Sequence, residues 1–268
     1  MRALEPADPR SAGRCRILAR IGAGGMGMIY FGRSGSGRPV AVKVVHAEFA
    51  RDPEYRERFR REVAVTRVVG GRYSPGVVDA DPEAELPWLA TEFLPSVSLR
   101  EAVETLGRLP AEPVRPLAAG LVEALASVHD AGIVHLDVNP ANILLTGEGP
   151  RLVDFGIAAD LRAAPPGEPA GTRGFMSPEQ ASGGPVGPAS DVFSLGATLA
   201  YACAEPDERL RAVIEGCSRP EPAERPGLAE LAALLADGPP AAWPHAVHAA
   251  ARAPGGRGGE PAGGPAAT

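Results

Sequence analysis

Apolar and polar positions change their spacing near residue 94. Before it, apolar residues form short runs separated by glycine and serine, as at the turn 34–37, which predicts strands joined by hairpins. After it, Leu117, Leu121 and Leu125 recur at helical spacing. We therefore expect an α+β protein with two lobes, a small antiparallel β lobe with one helix and a larger helical lobe.

Start and stop signals delimit several helices. Asp52 can cap the helix of the first lobe, Pro53 suits its first position and Gly70-Gly71 ends it. Ser190 is predicted to cap a helix of the second lobe. The predicted helices span 53–69, 113–130, 191–203, 207–217 and 227–236, and the strand-like runs lie between 15 and 45 and at 77–80, 88–93, 143–145 and 152–153.

Composition sets the two ends of the chain apart from its middle. Residues 1–14 are polar and are predicted to be disordered, as is the Pro/Gly/Ala-rich tail 238–268. The first lobe is expected at 15–94 and the second at 95–237, shortened between residues 203 and 217. A cleft between two lobes is a usual place for a small-molecule site.

Charge and cysteine usage exclude several classes of protein. The net charge of −6 gives no support for nucleic-acid binding. The sequence contains no run of about 18 apolar residues, so no membrane span is predicted. The first residues lack the apolar core of a secretory signal. Cys15, Cys203 and Cys217 are too scattered for a disulfide framework or a metal cluster, so we expect reduced thiols in a cytoplasmic protein.

A glycine-rich loop between two predicted strands is the first candidate for chemistry. Gly22, Gly24 and Gly27 would let the backbone approach phosphate groups closely. Because the loop joins two strands, it does not fit a dinucleotide fold, in which it would open a helix. Taken alone, the pattern equally fits a flexible hairpin.

A lysine at the end of a predicted strand is the second candidate. Alternation places Lys43 on the same strand face as Ala41. A solvated strand lysine fits this pattern too, but in a cleft Lys43 could neutralise phosphate charge. Glu62 of the following helix is then its candidate anionic partner.

Two polar motifs follow in the second lobe. Asp137 and Asn142, five residues apart in a predicted loop, can orient a hydroxyl group and hold a metal ion. Asp154 of the run Asp154-Phe155-Gly156 follows a short strand, and its carboxylate suits Mg²⁺, which prefers oxygen ligands. The nearby His135 is interpreted as a structural residue of the loop rather than as a base.

In this order, the motifs resemble those of the eukaryotic-like Ser/Thr protein kinases of bacteria. The segment 171–180 resembles that family's GT…SPEQ run, and residues 191–196 resemble the start of its central helix. Arg225 resembles the late arginine that pairs with the glutamate of this run, here Glu179. The resemblance covers about residues 15–237. It implies a protein-kinase-like fold, ATP and Mg²⁺ as cofactors, and a protein substrate with a serine or threonine acceptor.

The resemblance also implies a role for each matching residue. Lys43, paired with Glu62, would contact the phosphates, Asp137 would orient the substrate hydroxyl, and Asn142 and Asp154 would bind Mg²⁺. The predicted nucleotide-binding residues are Gly22, Gly24 and Gly27 over the phosphates, Ile21, Ile29, Ala41 and Leu144 around the adenine, Thr91 as gatekeeper, and Glu92 and Leu94 in the hinge.

One departure from the family concerns regulation. Leu136 replaces the arginine that, in the family, receives a phosphate carried on the activation loop. Between Asp154 and Gly171 the chain has no Ser, Thr or Tyr. The two losses fit each other, so we expect an enzyme that is not switched by phosphorylation of that loop.

Two further departures concern activity and docking. Asn139 replaces the catalytic-loop lysine, whose charge would help to neutralise the moving phosphoryl group, so we expect low intrinsic activity, with the Asn139 amide as a remaining donor. The interval from Asp191 to Arg225 is about half the family's length, so the surface that docks protein substrates is expected to be reduced.

Two other functions stay open at this point. Leu136 and Asn139 also fit an ATP-binding pseudokinase that acts as a regulatory module. The run His135–Asn142 further resembles the loop of aminoglycoside-phosphotransferase-like enzymes, which suggests a small-molecule phosphotransferase. Many members of the kinase family carry a membrane span and a sensor domain. Because this sequence shows neither, a signal is expected to arrive through a regulatory protein partner.

Overall fold

The computed structural model describes residues 1–24, 27–156, 159–160 and 171–236. The predicted tail at 238–268, the Pro-rich loop at 163–170 and two residues of the glycine loop lie outside these ranges. Within them, no helix is both long and apolar enough to cross a membrane.

The first lobe contains β1 Ser11–Ala12, β2 Cys15–Ala23, β3 Gly27–Arg33, β4 Pro39–Val45, α1 Pro53–Val69, β5 Val77–Asp81 and β6 Trp88–Glu92. Its strands form a six-stranded antiparallel sheet in the order β1-β2-β3-β4-β6-β5. One face packs on helix α1 through Phe59 and Val63, which contact Val45 and Leu89. As predicted, the Asp52 side chain caps α1 by accepting a hydrogen bond from the Glu54 amide at 2.9 Å.

The prediction that residues 1–14 are disordered is wrong. Ala12, joined by Leu4, packs into a core cluster on the sheet with Val42 and Trp88, and β1 pairs with β2. The polar side chain of Asp8 is buried because its partners, Arg20 and Tyr30, come from elsewhere in the sheet. Composition could not reveal this order, since the partners lie far away in sequence.

The second lobe contains β7 Ser96–Ser98, α2 Leu99–Leu106, α3 Ala111–Asp130, β8 Ile133–Val134, β9 Ile143–Thr146, β10 Gly149–Leu152, β11 Ala159–Asp160, α4 Pro178–Ala181, α5 Pro188–Ala202, α6 Glu208–Cys217 and α7 Leu228–Leu235. The apolar faces of α3 and α5 meet in its core cluster. Helix α2 was not predicted, although Ser98 and Glu101 form a capping box at its start, a signal visible in the sequence.

Helix α5 begins earlier than the sequence predicts. Pro188 occupies its first turn, so Ser190 lies inside the helix rather than at the cap. The Ser190 hydroxyl accepts a hydrogen bond from the Gly187 amide at 3.2 Å and donates one to Glu179 Oε1 at 2.8 Å. Residues 203–207 then connect α5 directly to α6.

Helices α5 and α6 pack closely because Gly196 has no side chain. A Cβ at this position would lie 2.6 Å from the Cβ of Cys217. The two lobes meet through a smaller apolar cluster in which Val69 of α1 contacts Val128, Ile133 and Phe155. This cluster brings α1 next to the loops that carry the polar motifs.

Candidate active site

A buried carboxylate holds the loop that contains Asp137. Asp191 at the start of α5 is fully buried, and its oxygens accept hydrogen bonds from the backbone amides of His135 at 2.8 Å and Leu136 at 2.7 Å. His129 Nε2 lies 2.8 Å from the same carboxylate. Leu136 has a φ of 63°, which a non-glycine residue rarely adopts. We infer that the Asp191 hydrogen bond to its amide helps to stabilise this backbone turn.

The sequence predicted that Lys43 pairs with Glu62 and that Asp154 binds Mg²⁺ near the same phosphates. In the structure, all three side chains are in contact. Lys43 Nζ lies 2.6 Å from Glu62 Oε1 and 3.0 Å from Asp154 Oδ1. The side chains of Lys43 and Glu62 are 12% and 3% exposed, whereas that of Asp154 is 39% exposed. One buried cation therefore connects α1, β4 and the loop after β10.

Burial and charge act in opposite directions on this group of three. Burial alone would lower the pKa of Lys43, but the charges of Glu62 and Asp154 outweigh it and raise that pKa above its usual range. Burial raises the pKa of Glu62 against the effect of Lys43. Burial also opposes ionisation of Asp154, but the Lys43 charge lowers its pKa overall. Lys43 is thus a cation near neutral pH, and it faces the half-buried Asp154.

Packing of Phe155 fixes the direction of Asp154. Phe155 is 2% exposed in the cluster between the lobes, and its ring centroid lies 4.7 Å from that of His135. Asp154 itself has a φ of 64°. With Phe155 held among apolar side chains, the neighbouring carboxylate points towards Lys43. His135 therefore has a packing role, as the sequence interpretation expected.

Asp137 accepts hydrogen bonds from two separate segments. Its Oδ2 accepts from Asn142 Nδ2 at 2.9 Å. Its Oδ1 accepts from the amide and the hydroxyl of Thr172, at 2.9 and 2.8 Å. The sequence placed Asp137 and Asn142 in one loop, but it gave no role at this carboxylate to Thr172 of the segment 171–180. The structure thus adds a hydroxyl group at the carboxylate.

The structure gives Asn139 a different role from the predicted one. Asn139 is 2% exposed, and its Nδ2 donates to the Asp137 carbonyl at 3.1 Å and to Thr172 Oγ1 at 3.0 Å, while its Oδ1 accepts from the Ala141 amide at 2.9 Å. Both hydrogens of the amide are therefore used inside the protein. Asn139 positions Thr172 against Asp137, and its predicted contact with a moving phosphoryl group would require this network to open.

Asn142 and Asp154 are brought to the same end of the β9–β10 hairpin. The amide of Val153 donates to the Asn142 carbonyl at 3.0 Å, and Asp154 follows directly. The Asn142 Nδ2 is bound to Asp137, which leaves the side-chain oxygen as the group available to a cation. An amide oxygen and a carboxylate fit a hard ion such as Mg²⁺, which is commonly held by one or two protein groups together with substrate phosphates.

Several of the predicted nucleotide-binding residues lie in the strands next to Lys43. Ala41 lies opposite Thr91 in the β4–β6 ladder, and Ile29 lies opposite Lys43 in the β3–β4 ladder. A Cβ on Gly27 would lie 2.3 Å from the Val44 carbonyl oxygen, so glycine is required there by close strand packing as well. The other predicted positions are Ile21 and Gly22 in β2, Gly24 just after it, Leu144 in β9, Glu92 at the end of β6 and Leu94 in the connection between the lobes.

A buried ion pair stabilises the segment that contains Thr172. Arg225 Nη1 and Nη2 lie 2.7 and 2.8 Å from the two oxygens of Glu179, and the Arg225 side chain is fully buried. Although burial opposes ionisation of Glu179, the hydrogen bonds from Arg225 and its neighbours lower the pKa of that carboxyl to about 2. Next to it, Gln180 Nε2 donates to the Leu136 carbonyl at 2.7 Å. The segment is thereby attached to the loop that carries Asp137.

The architecture, with its polar groups gathered where the two lobes meet, is that of a protein kinase domain. The model of the protein kinase domain family matches residues 15–207, and the chain belongs to that family. The two-lobed α+β fold expected from the sequence is therefore confirmed.

Among curated proteins, the chain is similar to bacterial Ser/Thr kinases. It is 45% identical over 260 residues to the probable serine/threonine-protein kinase PkwA of Thermomonospora curvata, an alignment that covers 87% of this chain and 35% of that protein. It is 46% identical over 259 residues to the serine/threonine-protein kinase AfsK of Streptomyces coelicolor, covering 85% of this chain and 32% of that one. The chain thus spans about a third of the length of these relatives.

Among solved structures, the chain is similar to the PknI kinase domain of Mycobacterium tuberculosis. One crystal structure of that domain is 24% identical, with a TM-score of 0.67 over 88% of this chain and 99% of the other. This likeness shows the fold.

Proposed function

We propose that the protein is an ATP- and Mg²⁺-dependent serine/threonine protein kinase. The observation that carries the proposal is the contact of Lys43 with both Glu62 and Asp154, at 2.6 and 3.0 Å, next to the loop that holds Asp137 and Asn142. A lysine held between two carboxylates is a preorganised cation for phosphate groups. The names and identities of the curated relatives support the same activity.

Each side chain of the site has a role in this reaction. Lys43 binds phosphate oxygens while Glu62 holds its ammonium group in place, and Asn142 and Asp154 would hold Mg²⁺. The metal ion, when bound, neutralises negative charge on the phosphates. Asp137 accepts the proton of the substrate hydroxyl as that oxygen attacks the γ-phosphorus in line, while the bond from this phosphorus to the β–γ bridging oxygen breaks and ADP leaves.

The hydroxyl of Thr172 supports a serine or threonine acceptor. It donates to Asp137 Oδ1 at 2.8 Å, within the range that a substrate hydroxyl would need in order to give up its proton to this carboxylate. Thr172 lies in the segment held by the buried pair of Glu179 and Arg225. This segment therefore offers a preformed edge for a peptide beside Asp137.

We also propose that the kinase is not switched by phosphorylation of its activation loop. Leu136 is only 8% exposed, its carbonyl is bound by Gln180, and it carries no charge that could bind a phosphate. We expect mass spectrometry after incubation with Mg²⁺-ATP to find no phosphate that is needed for activity. A phosphate on Thr172 whose removal abolishes turnover would contradict this.

Replacing Asn139 by Lys is expected to raise turnover. The added charge would restore one electrostatic contact to the phosphoryl group, and a contact of this kind is typically worth about 10²–10³ in rate. Turnover of Asn139→Lys is compared with the parent and with Asn139→Met, which has a similar length without the charge. Thermal unfolding is followed in parallel, because both variants lose the acceptor of the Ala141 amide. A folded Asn139→Lys that is no faster than Asn139→Met would contradict low intrinsic activity caused by the missing lysine.

One labelling experiment separates the three functions that the sequence left open. The purified protein is incubated with Mg²⁺ and γ-labelled ATP, a panel of proteins and a panel of small alcohols and aminoglycosides, with Asp137→Asn as the control. We expect the label on protein serine or threonine. Label on small molecules alone would indicate a small-molecule phosphotransferase, and tight ATP binding without any transfer would indicate a pseudokinase.

A further inference from the structure

The first twelve residues follow strand β2 as it approaches the glycine loop. Ser11 pairs with Arg16, and the Ile17 amide donates to the Arg10 carbonyl at 3.0 Å. Further on, Arg2 and Arg20 exchange two backbone hydrogen bonds of 2.9 Å. Residues 1–12, here called the N-terminal clamp, thus contact β2 from its start to the residue before Ile21.

A buried carboxylate joins the N-terminal clamp to the sheet. Asp8 is 7% exposed, and its Oδ2 accepts from Arg20 Nε and from the Glu5 amide, both at 2.7 Å. Its Oδ1 accepts from Arg20 Nη2 and from Tyr30 Oη, both at 2.8 Å. Arg20 also contacts Glu5, whose side chain is 62% exposed. The two-pronged contact between a guanidinium and a carboxylate is among the strongest hydrogen-bonded arrangements in proteins.

The charge state of this cluster is constant near neutral pH. The hydrogen bonds from Arg20 hold the pKa of Asp8 well below its usual range, despite burial. Burial and the contact with Asp8 raise the pKa of Tyr30 to about 12, so the phenol keeps its proton. Asp8 and Arg20 therefore stay charged, and Tyr30 stays neutral, across the pH range near neutrality.

The cluster lies where the pairing of β2 with β3 is irregular. The register shifts between Ile17 and Ala19 and again between Arg20 and Gly22. Such bulges leave a residue unpaired and allow a strand to bend. Arg20 lies directly opposite Tyr30 between the two irregularities, and both donate to Asp8. The N-terminal clamp therefore contacts β2 where the pairing of β2 with β3 is irregular.

The residues expected to cover the nucleotide lie next to this irregular part of the β2–β3 pairing. Ile21 and Gly22 follow Arg20 directly, and Ile29 precedes Tyr30. Alternation puts Ile29 on the opposite face of β3 from Tyr30. Tyr30 packs in the core cluster beneath the N-terminal clamp, together with Ala12. The Asp8 cluster thus sets the position of β2 and β3 from the face behind the glycine loop.

We propose that the N-terminal clamp fixes the glycine-loop strand, with Asp8 as its positioning residue, and thereby sets the affinity for the nucleotide. The second half of this inference rests on the proposed function, whereas the first half concerns the free protein. Asp8 lies on the same face of the sheet as Tyr30, opposite the face of Ile29, and would affect the nucleotide only through Arg20 and Tyr30.

Hydrogen exchange tests the first half in the free protein. In Asp8→Asn the charge is lost and one oxygen becomes a donor that faces other donors, so we expect the amides of residues 18–24 and 27–30 to exchange at least about tenfold faster, with little change in β4 and β6. Glu5→Gln makes the same chemical change at the exposed partner of Arg20 and should match the parent. Tyr30→Phe removes one hydrogen bond and should give a smaller increase at the same amides. If exchange at these amides is unchanged in both Asp8→Asn and Tyr30→Phe, the proposal that the N-terminal clamp fixes β2 is refuted. An increase spread over the whole sheet in both variants would refute it as well.

Calorimetric titration with Mg²⁺-ATP tests the second half. We expect Asp8→Asn to bind at least about tenfold more weakly than the parent, since small displacements of positioning groups have large effects, and Glu5→Gln to bind as the parent does. If Asp8→Asn is less heat-stable but its folded form binds equally well, the clamp has no effect on the nucleotide and the second half is overturned. A parent protein that binds no Mg²⁺-ATP would refute the proposed function, and hydrogen exchange would still decide the clamp.

Discussion

Replacing Asp137 by Asn is expected to reduce phosphoryl transfer by about 10²–10⁴-fold, the contribution usual for a positioned proton acceptor. The asparagine side chain has nearly the same shape and can still accept from Thr172, but it cannot take up the proton of the substrate hydroxyl. Binding of Mg²⁺-ATP should fall by less than turnover, because Lys43 contacts Glu62 and Asp154 rather than Asp137. Some loss of affinity is expected through Asn142, the proposed Mg²⁺ ligand that donates to Asp137. Steady-state turnover and a calorimetric titration measure the two quantities separately.

A matched control removes a carboxylate that lies outside the site. Asp130 at the end of α3 is exposed, and Asp130→Asn should leave both turnover and nucleotide affinity within about twofold of the parent, as for most surface substitutions. If Asp137→Asn lost affinity in proportion to turnover, its role would be in binding. If it kept most of its turnover, Asp137 would not handle the proton.

Removing Arg225 is expected to destabilise the protein by about 3–5 kcal/mol, the range for breaking a buried ion pair by deleting one partner. Besides its two contacts with Glu179, the guanidinium donates to the carbonyls of Ala189, Arg219 and Pro220 at 2.7–2.8 Å. Arg225→Met would leave the Glu179 carboxylate, whose side chain is 12% exposed, without its cation. Urea unfolding at neutral pH measures the free energy difference.

A surface ion pair provides the control for Arg225. Arg58 and Glu54 pair on the exposed face of α1, and Arg58→Met should lower the free energy of unfolding by no more than about 1 kcal/mol. An equally small effect of Arg225→Met would show that the buried pair does not hold the segment with Thr172. Adding Glu179→Gln to Arg225→Met should restore part of the lost stability, because the unpaired charge is then absent.

The same ion pair predicts how stability depends on pH. The pKa of Glu179 is lowered from an ordinary 4.5 to about 2 in the folded protein. The pair therefore stabilises the protein fully above the unfolded pKa, and this contribution is lost as the pH falls through about 2. We expect the difference in stability between the parent and Glu179→Gln to shrink steadily from about pH 5 towards pH 2, as unfolding midpoints at each pH would show.

Much of the fold could be predicted from local pattern. Strand alternation put Ala41 and Lys43 on one face, and in β4 both are half-buried whereas Val40, Val42 and Val44 between and beside them are buried. Asp52 was expected to cap α1 and does so. These predictions succeed because the spacing of side chains along a strand or helix, and the hydrogen bonds of a helix cap, depend on neighbours within a few residues.

Other features depend on partners that are distant in the chain. Residues 1–14 read as disordered because they are polar, yet Asp8 is ordered by Arg20 and Tyr30. Asn139 was interpreted by comparison with the lysine it replaces, yet its side-chain amide forms hydrogen bonds with Asp137, Ala141 and Thr172. Only the folded chain shows which donors and acceptors a buried amide or carboxylate meets.

The sequence by itself therefore determined the class of the fold, most of the helices and strands, and the set of polar residues that could act on a phosphate group. The tertiary structure alone decided that Asp191 holds the loop of Asp137, that Thr172 lies against its carboxylate, and that the N-terminal segment holds β2. The physical reason is that periodicity and capping are local, whereas a buried polar group must find hydrogen-bonding partners wherever the fold brings them.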